Sequence, residues 1–114
     1  MSCFSNKFNK REKRVNRTLS VDEELYSELE KLSKNVYEAS ISKLVNAAIE
    51  EIVKTENIQV YERKNKLYVS RSFLIRESLL DSLYELKGKY GVSICLIINV
   101  AIRNALLEEI DIQK

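Results

Sequence analysis

Two short stretches carry side chains that hydrogen-bond without titrating. Asn16, Thr18 and Ser20 alternate with Val15, Leu19 and Val21, and Ser70, Ser72 and Leu74 alternate with Val69, Phe73 and Ile75. A period of two puts the two sets on opposite faces of a strand. Amides and hydroxyls of this kind suit the edges of nucleobases. A solvated polar face is the alternative reading of the same six residues. Arg17 and Arg71 interrupt the apolar parity of their strands, and Arg14 stands just before the first.

Catalytic chemistry has little to work with. The chain has no His, no Gly-rich phosphate loop and no paired carboxylates on an expected cleft, so no enzyme is expected. Its two cysteines, Cys3 and Cys95, form neither a metal-ligand pattern nor a disulfide framework. Cys95 reads as a small buried hydrophobe. No metal, cofactor or small-molecule substrate is expected. No apolar run approaches the roughly 18 residues of a membrane span, and the basic, polar N-terminus is unlike a secretory signal. A cytoplasmic protein fits these features.

The net charge of +2 hides a segregation. Residues 1–17 hold six basic residues and one acidic, and residues 58–76 hold five and one. Residues 18–57 hold nine acidic residues against four basic, and residues 77–114 six against four. Positive charge gathers on the N-terminal arm and on both alternating stretches. That attracts polyanions, nucleic acid first. A solvated tail and linker would also account for it.

The elements that position these residues are helices. With 114 residues, 45% of them hydrophobic, and with no Pro and two Gly, the chain has material for one small, mostly helical domain. Residues 1–13 form a basic arm. Ser20–Val21–Asp22–Glu23 fits a capping box, with Ser20 as N-cap. Leu25, Leu29, Leu32 and Val36 then make one helical stripe. Ser40 is the expected N-cap of a second helix. Its wide apolar face holds Ile41, Leu44, Val45, Ala48, Ile49, Ile52 and Val53. Residues 55–66 read as linker, with a short strand through Ile58, Val60 and Tyr61 that turns at Lys64–Asn65–Lys66.

The plan then recurs. Val69, Phe73 and Ile75 follow Val15, Leu19 and Val21 by 54 residues, and Arg71 follows Arg17 by the same interval. Leu79, Leu83 and Leu86 repeat Leu25, Leu29 and Leu32. In the second helix the offset is 53: Ser93, Ile94, Ile97, Ile98, Ala101 and Ile102 repeat Ser40, Ile41, Leu44, Val45, Ala48 and Ile49, while Asn99 repeats Asn46. Gly91 supplies the tighter turn between helices. The chain thus holds repeat 1 (14–54), a linker and repeat 2 (67–108), followed by a short tail. One strand with two amphipathic helices can satisfy neither its backbone nor its core. Two copies can: the strands pair antiparallel and four helices cover the ribbon's apolar face. The fold class expected is mostly α with one two-stranded antiparallel ribbon.

A basic alternating strand, a helix, a short turn and a Ser-capped helix resemble the ribbon-helix-helix DNA-binding proteins of the Arc/MetJ/CopG type. The closest local likeness is the junction Thr18–Leu19–Ser20–Val21–Asp22–Glu23–Glu24–Leu25. The resemblance covers residues 13–54 and 66–108, and the tandem plan resembles the family's TraY-type members. It implies an intramolecular pseudo-dimer whose ribbon enters the major groove of double-stranded DNA. By parity, the implied base contacts are Asn16, Thr18, Ser20, Ser70, Ser72 and Leu74. The N-terminus of the second helix would clamp phosphate, at Ser40, Ile41, Ser42 and Lys43 and at Ser93, Ile94 and Cys95. Arg17 and Arg71 depart from the family's apolar residue. With Arg14 they are expected at base or phosphate, the alternative being a salt bridge to a helix carboxylate.

The resulting expectation is sequence-specific DNA binding by a transcriptional repressor or a plasmid maintenance or transfer (relaxosome) factor, with protomers associating on adjacent sites. A protein-binding module such as an antitoxin, and nonspecific nucleic-acid binding, are the alternatives.

Overall fold

The computed structural model describes residues 13–35, 40–59 and 67–113. In chain order the elements are β1 (Arg14–Asp22), α1 (Glu23–Asn35), α2 (Ile41–Thr55), β2 (Tyr68–Arg76), α3 (Glu77–Tyr90) and α4 (Ile94–Gln113). The protein is therefore mostly helical, with one two-stranded sheet. The N-terminal arm, Val36, Val60, Tyr61 and the turn at 64–66 lie outside the described residues, except for Lys13 at the arm's end.

β1 and β2 pair antiparallel over nine positions, from Arg14 opposite Arg76 to Asp22 opposite Tyr68. The middle pair is Thr18 and Ser72. These two are also counterparts at the 54-residue offset, so the register is centred on equivalent residues. Each ribbon end is fastened by the helix that follows. The Glu23 amide donates to the Leu67 carbonyl at 3.0 Å, and the Glu77 amide to the Lys13 carbonyl at 2.9 Å.

Alternation in the strands becomes burial. Leu19, Val21, Phe73 and Ile75 are buried under the ribbon, and Val15 and Val69 are half-buried. The helical stripes close over them. Leu29 and Leu32 of α1 and Leu79, Leu83 and Leu86 of α3 are buried from the flanks. α2 and α4 pack on each other through the middle, where Leu44, Val45, Ile49, Ile97, Ile98 and Ile102 are fully enclosed. Ala47, Ala48, Ala101 and Ala105 are buried in the same layer. Truncating one of the large residues to Ala is expected to cost about 2–5 kcal/mol. No single helix among the described residues is long and apolar enough to cross a membrane.

Three boundaries differ from expectation. Ser20 does not cap α1. The strand runs on to Asp22, whose carboxylate accepts the Glu24 amide at 3.0 Å. Pairing with β2 holds Ser20 and Val21 extended, and the next small acceptor, Asp22, takes the cap. The tail after residue 108 is not separate, because α4 continues to Gln113. Residues 56–59, including Ile58, are not strand. Glu56 instead ends α2 in the left-handed region, at φ 53°. Gly91 ends α3 in the same way, at φ 66°, where only glycine avoids strain.

Candidate nucleic-acid interface

The ribbon's second face is open. Arg14, Asn16, Thr18, Ser20, Ser70, Ser72 and Leu74 are all exposed, Leu74 at 47%. Opposed positions pair Asn16 with Leu74, Thr18 with Ser72 and Ser20 with Ser70. The Thr18 and Ser72 hydroxyls share a hydrogen bond at 2.8 Å. Each hydroxyl has further capacity after that bond. All six expected base-reading residues therefore form one continuous strip.

The strip is held rigid from its edges. A two-stranded ribbon leaves half its backbone groups unpaired on the outside. Asn46 of α2 answers this on β2: its Oδ1 accepts the Arg76 amide at 2.8 Å, and its Nδ2 donates to the Leu74 carbonyl at 2.6 Å. Asn99 of α4 does the same on β1, accepting the Asp22 amide at 2.8 Å and donating to the Ser20 carbonyl at 3.0 Å. Each also donates back to its own helix, Asn46 to the Ser42 carbonyl and Asn99 to that of Cys95. Both are buried. Asn46, on the helix that precedes β2, thus secures β2, and Asn99, on the last helix, secures β1. In the sequence they show only as matched polar residues on two otherwise apolar faces.

Ser40 and Ser93 cap their helices as expected. Ser40 Oγ accepts the Lys43 amide at 3.2 Å and Ser93 Oγ the Leu96 amide at 3.1 Å. The remaining first-turn amides have no intrahelical acceptor and could meet an anion. The Ile41 and Ile94 side chains are half-buried against the core, so only their backbones suit that role. Ser42 Oγ accepts the Leu74 amide at 3.1 Å and keeps its own proton to donate. Lys43 is exposed and Cys95 half-buried.

Arg17 and Arg71 are exposed although their parity faces the helices. Among the described residues they do not meet the alternative partner, a helix carboxylate. Arg17 Nη2 donates to the Tyr84 hydroxyl at 2.8 Å. The Arg71 guanidinium lies 5.0 Å over the Tyr26 ring, and its Nη1 donates to the Ser70 carbonyl at 2.9 Å. Opposite Arg17 sits Phe73 and opposite Arg71 sits Leu19, so each stem passes beside a buried apolar partner before the head reaches the flank. The tyrosines carry no sequence pattern that would have singled them out.

Arg76 differs from the other ribbon arginines. It is 4% exposed and pairs with Glu50 of α2 at 2.7 Å. Among the described residues no cluster of His, Cys, Asp and Glu is arranged to hold a metal ion. Comparison with protein-family models, with curated proteins and with solved structures finds no match to this chain.

Proposed function

We propose that the two repeats form an intramolecular ribbon-helix-helix pseudo-dimer that binds double-stranded DNA, with the exposed face of the ribbon in the major groove. The observation that carries this reading is the strip Asn16, Thr18, Ser20, Ser70, Ser72 and Leu74, uncovered and centred on the Thr18–Ser72 pair. A two-stranded ribbon has the width of that groove. Hydroxyls and an amide on a fixed backbone give hydrogen bonds with direction. The edge clamps at Asn46 and Asn99 supply the fixity. Arg14, Lys43 and the first turns of α2 and α4 flank the strip and suit phosphate.

The two strands present different side chains, Asn16 where the other has Ser70 and Ser20 where the other has Leu74. One pseudo-dimer should therefore select an asymmetric site. Roles as a repressor or as a plasmid maintenance or transfer factor, with protomers on adjacent sites, follow from such binding. Selection from a duplex library tests it, followed by anisotropy titrations at several salt concentrations. The wild type should prefer its selected duplex by about 10³ over random DNA. The Asn16/Thr18/Ser70/Ser72→Ala variant should lose that preference and keep salt-dependent binding. Equal affinity of both proteins for every duplex would remove sequence reading from the ribbon.

A further inference from the structure

We propose that Tyr84 and Tyr26 are positioning residues, which hold the guanidinium groups of Arg17 and Arg71 at the flanks of the ribbon for contact with DNA phosphates. This rests on the DNA-binding reading above.

Three observations lead there. The first is the nature of the partners. A carboxylate beside either arginine would cancel most of its field. A phenol hydroxyl and an aromatic face fix a guanidinium while leaving its full charge. Arg17 gives one donor to Tyr84, and Arg71 gives one to the Ser70 carbonyl. A guanidinium has five N–H donors, so most remain for an anion.

The second is the crossing of repeats. Arg17 of repeat 1 is held by α3 of repeat 2, and Arg71 of repeat 2 by α1 of repeat 1. Their placement therefore exists only when the ribbon is assembled. Tyr26 also packs on Phe73, ring centroids 6.4 Å apart, which fixes the ring beneath Arg71.

The third is that the tyrosines are not copies of each other. At the 54-residue offset Tyr26 corresponds to Leu80, and Tyr84 corresponds to Glu30. The two positions lie one helical turn apart in the repeat, on the same helix face. One holds its arginine by a hydroxyl and the other by a ring. Equivalent arginines thus meet a tyrosine from two different positions, which simple retention of duplicated residues does not explain.

A held arginine loses less rotamer freedom on binding phosphate than a free one. The tyrosines should therefore change affinity without changing the number of charges that meet the DNA. The test uses the full chain and a short mixed-sequence duplex, titrated between about 50 and 200 mM salt. In parallel, NMR relaxation of the arginine Nε–H groups is measured without DNA. Thermal melts confirm that every variant is folded.

Tyr84→Phe should free the Arg17 head in the relaxation data and weaken duplex binding about three- to ten-fold. Its salt slope should match the wild type. Arg17→Ala should weaken binding at least as much and lower the slope by about one. Adding Tyr84→Phe to Arg17→Ala should change nothing further. Tyr26→Phe, which keeps the ring, should bind like the wild type, and Tyr26→Leu should not.

The proposal is overturned if Tyr84→Phe leaves affinity unchanged. It is equally overturned if that substitution weakens binding as much without Arg17 as with it, because the tyrosine would then act on its own. A wild type that binds no duplex at low salt sinks the DNA reading itself and this proposal with it. A wild type that binds while Arg17→Ala leaves affinity and slope intact sinks only the proposal.

Discussion

The two ends of the ribbon do the same structural task with different side chains. At the α2 end, Asn46 secures the backbone of β2, and the last strand residue, Arg76, pairs with Glu50. At the α4 end, Asn99 secures the backbone of β1, and the last strand residue, Asp22, caps α1. At the sequence offsets of 54 and 53, Asp22 corresponds to Arg76 and Glu50 to Arg103, so the signs of charge are exchanged. The outer surroundings diverge as well. Ser42, Lys43 and Leu74 at one end correspond to Cys95, Leu96 and Ser20 at the other. Ser20 is small, and a surface pocket of about 340 Å³ opens there between Ser20, Tyr68, Ser93, Cys95, Leu96 and Asn99. What stays the same is the asparagine, because both strands expose the same backbone groups. What varies is the charge, which the backbone does not dictate.

Substitutions at either end of the ribbon test how far the two ends are equivalent. The largest effect is expected at the buried ion pair. Glu50→Ala leaves the Arg76 guanidinium enclosed without its carboxylate and should cost about 3 kcal/mol or more in urea unfolding. An unchanged midpoint would show that the α2 end does not depend on its charges. Next come the clamps. Asn46→Ala and Asn99→Ala each strand a buried strand amide and a carbonyl, for about 2 kcal/mol apiece. Near-equal losses would sharpen the view that the two asparagines are equivalent, and a large inequality would break it.

The helix ends give a smaller contrast. Gly91 and Glu56 both end helices in the left-handed region, and only one is glycine. Gly91→Ala should destabilise by about 1 kcal/mol in thermal unfolding, although a methyl group there would meet nothing within 4 Å. Glu56 has offsetting contacts instead: it accepts from Lys89 at 2.6 Å and from the Tyr90 hydroxyl at 2.8 Å.

The Lys89 hydrogen bond, with Tyr90's beside it, holds the Glu56 carboxyl below its ordinary pKa. The contact with Glu56 raises Lys89. A lowered carboxyl contributes stability above its unfolded pKa and loses it as pH falls through the lower, folded value. A raised ammonium contributes below its unfolded pKa and loses it as pH rises through the higher one. The stability profile should therefore dip slightly at acid pH, on the low side of the ordinary carboxylate range. Glu56→Gln should flatten that dip. The group is exposed, so this is the smallest effect expected, and a chemical-denaturation series across pH reads it.

Much of this fold is legible in the chain alone. Alternation in 15–21 and 69–75, the leucine stripes and the repeat offsets place the strands, the helices and the outward face, because side-chain periodicity follows directly from backbone geometry. The serine caps of α2 and α4 are local and equally readable. The local rule that makes Ser20 an N-cap competes with strand pairing to Ser70, 50 residues away, and pairing wins. Of the short strand expected near Ile58, only residues 56–59 are described, and they follow the left-handed end of α2 without forming strand.

The remaining features were decided by tertiary structure. Asn46 and Asn99 are polar residues on apolar helices until the edges of β2 and β1 arrive beside them. Arg17 and Arg71 stand out in sequence only as a broken parity. Their tyrosine partners come from distant helices, Tyr84 from α3 and Tyr26 from α1. Sequence by itself determined which residues turn outward, since that depends on each residue's neighbours along its own strand. Only the assembled structure decided what secures the ribbon's edges and what holds its arginines, because those contacts join groups that no local period relates.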